Sequence, residues 1–116
     1  MSSSEPSGVL VIVVYEPKSG RDDDLAGLIA KHEMTLRTLD LVTDRPFVHG
    51  RAKNGSFIEL FEWKSEAASR SAHDQSAIQE LWGAMGEACE FKGLSSLDES
   101  NAPFAHFDPM SFSNGK

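Results

Sequence analysis

The chain has 116 residues, enough for one domain and too few for two. With 40% hydrophobic and 25% charged residues it has the make-up of a folded protein, not of a disordered one. Its 11 basic and 18 acidic residues leave a formal charge of −7, so no basic stripe exists to release counterions from a nucleic acid or an anionic membrane.

Met1 to Gly8 is rich in Ser, Pro and Gly and is expected to fray. No basic stretch precedes an apolar run there, so no secretory signal is expected. Val9 to Tyr15 is a continuous β-branched run, far short of the roughly 20 residues of a membrane span. It does not alternate, so both faces of this strand are expected to be buried. Pro17 to Gly20 reads as a turn, and Asp22 to Asp24 sit where a helix start favours acids. Leu25, Leu28, Ile29, Leu36 and Leu39 then repeat at helical spacing, with His32 in the middle of that apolar stripe. The helix is expected to end near Asp40, and Asp44-Arg45-Pro46 is a loop.

Phe47 to Lys53 and Ser56 to Trp63 are strand-like and flank Asn54-Gly55, which reads as a two-residue hairpin turn. That turn pairs Ala52 with Phe57, Gly50 with Glu59 and Val48 with Phe61. One face of the ribbon then carries Val48, Gly50, Ala52, Phe57, Glu59, Phe61 and Trp63. The other carries Phe47, His49, Arg51, Ile58, Leu60 and Glu62. Ser65 can cap a short helix over Glu66 to Ala72. Ser76 and Gln79 have capping-box spacing at the start of a longer helix, whose buried stripe is Ile78, Leu81, Trp82, Met85 and Cys89. Glu90 to Leu97 reads as a last, weaker strand, interrupted by Gly93. Ala102 to Met110 is a Pro- and Phe-bearing tail, and residues 111–116 are expected to be flexible.

The order strand, helix, strand, strand, helix, strand predicts one α+β domain over residues 9–110. Its form is a ferredoxin-like β-α-β-β-α-β fold with a four-stranded antiparallel sheet and both helices on one face. The other face is not polar enough to stay wet. At about 25 cal/mol per Å2 its exposure would cost several kcal/mol, so a homodimer is expected to cover it. A tail folded across that face is the alternative, and Phe104 and Phe107 could serve either arrangement.

Val9 to Glu16, the acidic helix start after Gly20, and the segment Ile58 to Ser65 followed by Ala72-His73 carry a resemblance. Over roughly Val9 to Leu97 the chain resembles the antibiotic biosynthesis monooxygenase-like family of the dimeric α+β barrel superfamily. The resemblance implies two protomers joined sheet to sheet and a pocket in each between sheet and helices. It also implies chemistry drawn from oxygenation of polycyclic phenols without metal or flavin, haem degradation, and small-ring isomerisation or decarboxylation. The haem-degrading branch has a His late on its second long helix. That position falls near Trp82 here, so neither haem nor another cofactor is expected.

Glu59 is the most informative single residue. Between Phe57 and Phe61 its carboxylate must be paired, have a raised pKa, or line a cavity, and Gly50 opposite leaves room beside it. His32 on the helix above could form a general-base pair with it, or could be a satisfied core histidine. His73 reads as a pocket-rim acid or base, or as a helix-end hydrogen-bonding group. Trp82, Trp63, Phe61, Phe57 and Met85 are the candidate walls, although Trp82 and Trp63 read first as core. No compact ligand spacing suggests a metal, and no nucleophile elbow is present. Cys89, the only cysteine, excludes an intrachain disulfide and fits the cytoplasm. The expected function is a cofactor-independent monooxygenase acting on a small aromatic or polycyclic compound. The alternatives are a non-catalytic small-molecule-binding or stress-related barrel, and an isomerase or lyase using the same residues.

Overall fold

In the computed structural model residues 8–112 are described. Of the ends expected to be flexible, 1–8 and 111–116, residues 1–7 and 113–116 lie outside the described residues. The β-branched run becomes the longest strand, β1 (Val9–Pro17). It is followed by α1 (Asp22–Thr38), β2 (Val48–Arg51), β3 (Phe57–Trp63), α2 (Glu66–Ala72), α3 (Ser76–Ala88), β4 (Cys89–Lys92) and β5 (Asp108–Met110). Two 3-10 turns, Leu94–Ser96 and Asp98–Asn101, precede β5. The sheet is antiparallel throughout, in the order β4-β1-β3-β2-β5. No helix among the described residues is long and apolar enough to cross a membrane.

The helix ends follow from local chemistry. Asp22, Asp23 and Asp24 occupy the first turn of α1 and Arg37 the last, matching the helix dipole at both ends. Asp40 takes a positive φ of 61°, and Leu41 N–H reaches the Leu36 carbonyl while Asp40 N–H reaches that of Arg37. This is a Schellman ending, locked by Leu36 and Leu41 in the same core cluster. The Ser65 hydroxyl accepts from Ala68 N–H, as its position before α2 predicts. The capping box at Ser76 does not form. Gln75 is the N-cap, and the Gln79 amide instead donates to the His73 carbonyl at 2.6 Å.

The hairpin departs from the expected register by one residue. Ala52 pairs with Ser56 around a three-residue loop, Lys53-Asn54-Gly55, in which Gly55 takes φ 93° and the Asn54 side chain accepts from Ser56 N–H. His49 therefore faces Glu59, and Gly50 faces Ile58. A one-residue slip moves every side chain of a strand to the other face. His49 and Arg51 consequently join Phe57, Glu59 and Phe61, while Val48, Gly50 and Ala52 join Ile58 and Leu60. Gly50 does not make room beside Glu59. A Cβ there would lie 3.2 Å from the Asp108 carbonyl and from Phe107, so its smallness admits the tail.

The tail also corrects the expected four strands to five, because β5 pairs along the free edge of β2. The last strand of the domain proper, expected over Glu90 to Leu97, stops at Lys92, where Gly93 starts a turn closed by Ser96 N–H. Phe112, expected in the flexible end, packs on Phe57 and His49.

Both long helices cover one sheet face. Tyr15, Leu25, Ile29, Phe57, Leu81 and Met85 form one buried cluster there, and Leu36, Leu41, Phe61, Trp63 and Ile78 another. The opposite face has only a small cluster of Val14, Ala52 and Leu97, with Ile58 and Phe107 partly buried against it. The rest of that face is open, with Leu10 54%, Ile12 49% and Val48 55% exposed. β1 is thus covered on one face by helices and only partly on the other by the tail.

Two glycine substitutions test this backbone. Gly55→Ala is expected to lower stability by about 1 kcal/mol, because a Cβ is disfavoured at positive φ. Gly27→Ala on α1, where a Cβ meets nothing, is expected to raise stability by roughly 0.5–1 kcal/mol. Urea unfolding of the two variants against the parent chain reads both signs.

Candidate active site

Glu59 sits at the centre of β3, completely buried, with Val13 of β1 opposite it on one side and His49 of β2 on the other. Its carboxylate can only accept hydrogen bonds, and three donors reach it. The Tyr15 hydroxyl, two residues along β1 from Val13, donates to Oε1 at 2.5 Å. His32 Nδ1, from the middle of α1, meets the same oxygen at 3.0 Å. His49 Nε2 meets Oε2 at 2.9 Å. Burial alone would raise the carboxyl's pKa, but the bonds from His32, His49 and Tyr15 outweigh it and hold the group at about 2. Burial, together with the adjacent Glu59 charge and hydrogen bond, pushes the Tyr15 phenol well above its ordinary range.

The tautomer of His32 follows from its other neighbour. Trp82 Nε1, from α3, lies 3.1 Å from His32 Nε2. An indole N–H only donates, so Nε2 must accept and the ring proton must sit on Nδ1, facing Glu59. The carboxylate therefore anchors the imidazole through Nδ1 and leaves the Nε2 lone pair on the side away from the sheet.

That side borders a cavity of about 280 Å3 between the sheet and the helices. Val11, Val13 and Tyr15 of β1 floor it, with Phe61 and Trp63 of β3 beside them. His32, Trp82 and the half-exposed Phe91 complete the wall. The walls are apolar apart from the tips of Tyr15, His32 and the two indoles, and the Tyr15 tip is committed to Glu59.

No family model, curated protein or solved structure matches this chain.

Of the residues singled out from the sequence, His32, Phe61, Trp63 and Trp82 line the cavity. Glu59 stands directly behind the wall, paired, with a lowered pKa and not a raised one. Phe57 and Met85 belong to the packed core beside it and not to its wall. Gly50 lies on the opposite sheet face. His73 is exposed at the end of α2 and touches the site only through its ring, 5.0 Å from that of Trp82. Tyr15 and His49 were missed. Tyr15 shares the alternation of Val11 and Val13, so pairing β1 with β3 would have brought it to Glu59. His49 was hidden by the register slip. Among the described residues no group of three or more His, Cys, Asp or Glu is placed to hold a metal ion. Burial pushes the Cys89 thiol up to about 11, which leaves it protonated and a poor nucleophile.

The pH dependence of stability tests the network. The folded pKa of Glu59 lies below the ordinary 4.5, so its contribution is complete above about pH 4.5 and is lost as the pH falls toward 2. A shift of that size corresponds to about 3 kcal/mol. Glu59→Gln is expected to be less stable than the parent chain at pH 7 by about that amount. It should also lack the steep loss of stability below pH 4.5, as read by urea unfolding at pH 7, 4 and 3. An unchanged acid limb in the variant would show that Glu59 is not the group that titrates.

Proposed function

We propose that the cavity is the active site of a cofactor-independent monooxygenase acting on a small aromatic compound with an acidic hydroxyl. The observation that carries this reading is the imidazole of His32, anchored by a buried carboxylate through Nδ1 and with its basic Nε2 on the cavity side, where the Trp82 indole N–H holds it until a ligand takes that place. This is the arrangement in which a carboxylate orients a histidine as general base. Glu59, with a pKa of about 2 and both oxygens occupied, is the orienting group and not the base. His32 takes the hydroxyl proton. The resulting anion gives electron density to dioxygen, and a carbon–oxygen bond forms at a ring C–H position. The peroxide then breaks its O–O bond, so one oxygen atom stays as a carbonyl. The other leaves as water with the two hydrogens lost by the substrate, one of them returned through His32. Dioxygen is the only oxidant needed.

The cavity of about 280 Å3 is near the lower end of the roughly 300–1,000 Å3 of typical ligand sites. It is about twice the 150 Å3 or so that accommodates benzene. Two fused rings fit better than a larger polycycle. The strand order β4-β1-β3-β2, with α1 and α3 on one face, supports a ferredoxin-like core of the antibiotic biosynthesis monooxygenase-like kind. The open strip of Leu10, Ile12 and Val48 supports a homodimer joined through the opposite face, as in a dimeric α+β barrel. The lone cysteine supports a cytoplasmic setting.

A second reading is favoured by the saturation of Glu59. A network in which every group is already paired is also what a binding barrel without turnover would keep. An oxygen electrode separates the two. With 1-naphthol or a dihydroxynaphthalene, uptake of one O2 per product and its loss by about 100-fold or more in His32→Ala are expected. Binding without uptake leaves the binding barrel, and product formed without uptake leaves an isomerase or lyase. For the dimer, sedimentation should give twice the chain mass, and Ile12→Asp should give the monomer with the helix-side fold intact.

A further inference from the structure

Trp82 does more than wall the cavity. Its indole N–H is spent on His32 Nε2, the lone pair that the proposed reaction needs free. His32 is 3% exposed, so it is the indole and not bulk solvent that satisfies Nε2 in this structure. The indole is half-buried, with the exposed ring of His73 and the ring of His32 both against it. Any ligand entering the cavity thus meets a base that is already capped.

We infer that Trp82 is a gate on the base, which a ligand opens only by bringing its own hydrogen-bond donor to His32 Nε2. The inference rests on the reading of the cavity as a site for hydroxylated aromatics. It sets the selectivity of that site. With the indole in place, an aromatic lacking a hydroxyl enters without stranding Nε2, because Trp82 keeps it paired. A hydroxylated aromatic must exchange one hydrogen bond for another and so gains little at the binding step. The discrimination between the two ligands is deferred to proton transfer. Without the indole donor, the hydroxyl-free ligand would leave a buried acceptor unpaired, while the hydroxylated ligand would satisfy it.

The experiment compares 1-naphthol with naphthalene by titration calorimetry on the parent chain and on Trp82→Phe. The ratio of their affinities is expected to rise by about tenfold in the variant, the size of one net hydrogen bond. An unchanged or smaller ratio, with both ligands bound, overturns the gate and leaves the site reading standing. If neither ligand binds the parent chain, the site reading itself falls. A measurement on the parent chain guards against a misfolded variant. The Trp82 indole N–H should exchange with solvent faster when 1-naphthol is added and stay protected with naphthalene. Protection that persists with both ligands overturns the gate as well.

Discussion

A carboxylate in the middle of a sheet, with Phe57 and Phe61 two residues to either side on the same face, is unstable there until something answers its charge. Three donors answer Glu59, and they come from three different elements: the hydroxyl on β1, the imidazole on α1 and the imidazole on β2. Each reaches it only if its element is docked correctly. The β1–β3 register puts Tyr15 within reach, the β2–β3 register puts His49 opposite, and α1 must be rotated so that His32 points down. Sliding β2 by one residue would carry the His49 donor to the wrong face, and sliding β1 would carry away Tyr15, so either slip strips the buried charge of one of its three hydrogen bonds. The network replaces the hydration of the carboxylate more than it adds net stability. Its larger effect is to make one register and one helix rotation far better than their neighbours.

The same constraint assigns the chemical roles. A carboxylate held this firmly is a weak base, so in the proposed reaction the acid found in the apolar ribbon is not the group that would move the proton. What Glu59 does is dictate where the His32 proton sits. Trp82 reinforces the assignment from the other side, because its N–H can be accepted only by a bare nitrogen. The imidazole is therefore polarised along one axis, from the sheet toward the cavity, and its basic end holds the indole N–H at an otherwise apolar wall. In the proposed reaction water would compete poorly there, which would favour a substrate whose flat apolar body fills the space and whose hydroxyl replaces the indole N–H on Nε2.

The parts of this arrangement that were legible in the sequence are those set by long, single-valued patterns. The stripe on α1 puts His32 at its centre, and the FIELFEW strand alternates cleanly between buried and half-buried positions, so a Glu59–His32 meeting followed from two periodicities. The Ser65 cap was legible because its mechanism is local. The hairpin register was not. Asn-Gly serves a two-residue turn and also a three-residue loop with glycine at positive φ, and the choice shifts pairing by one residue. The four residues of β2 are too short and too mixed to decide it, since Val48 and Gly50 argue for one face no better than His49 and Arg51 argue for the other. That ambiguity alone hid His49. The tail was illegible for a different reason: β5 is three residues containing a proline, and it exists only because the edge of β2 is there to pair with it.

The tail also bears on how the open face is completed. By pairing along β2 it removes a free edge, which is the usual site of strand-to-strand association. By crossing at Leu97 and Phe107 it covers the Val14–Ala52 end of the face and stops short of Leu10, Ile12 and Val48. What is left apolar is a strip on the flat of the sheet and not on its β2 edge. A second copy would therefore meet this one face to face, on the side away from α1 and α3. The groups that hydrogen-bond Glu59, and the described wall of the cavity, lie on the helix side of the sheet, away from that strip. In the proposed dimer the two sites would thus lie on the outer, helix-covered sides, away from the interface. The partner's contribution would be indirect: it would hold β1 flat against β3, and with it the register on which Tyr15 and Glu59 depend.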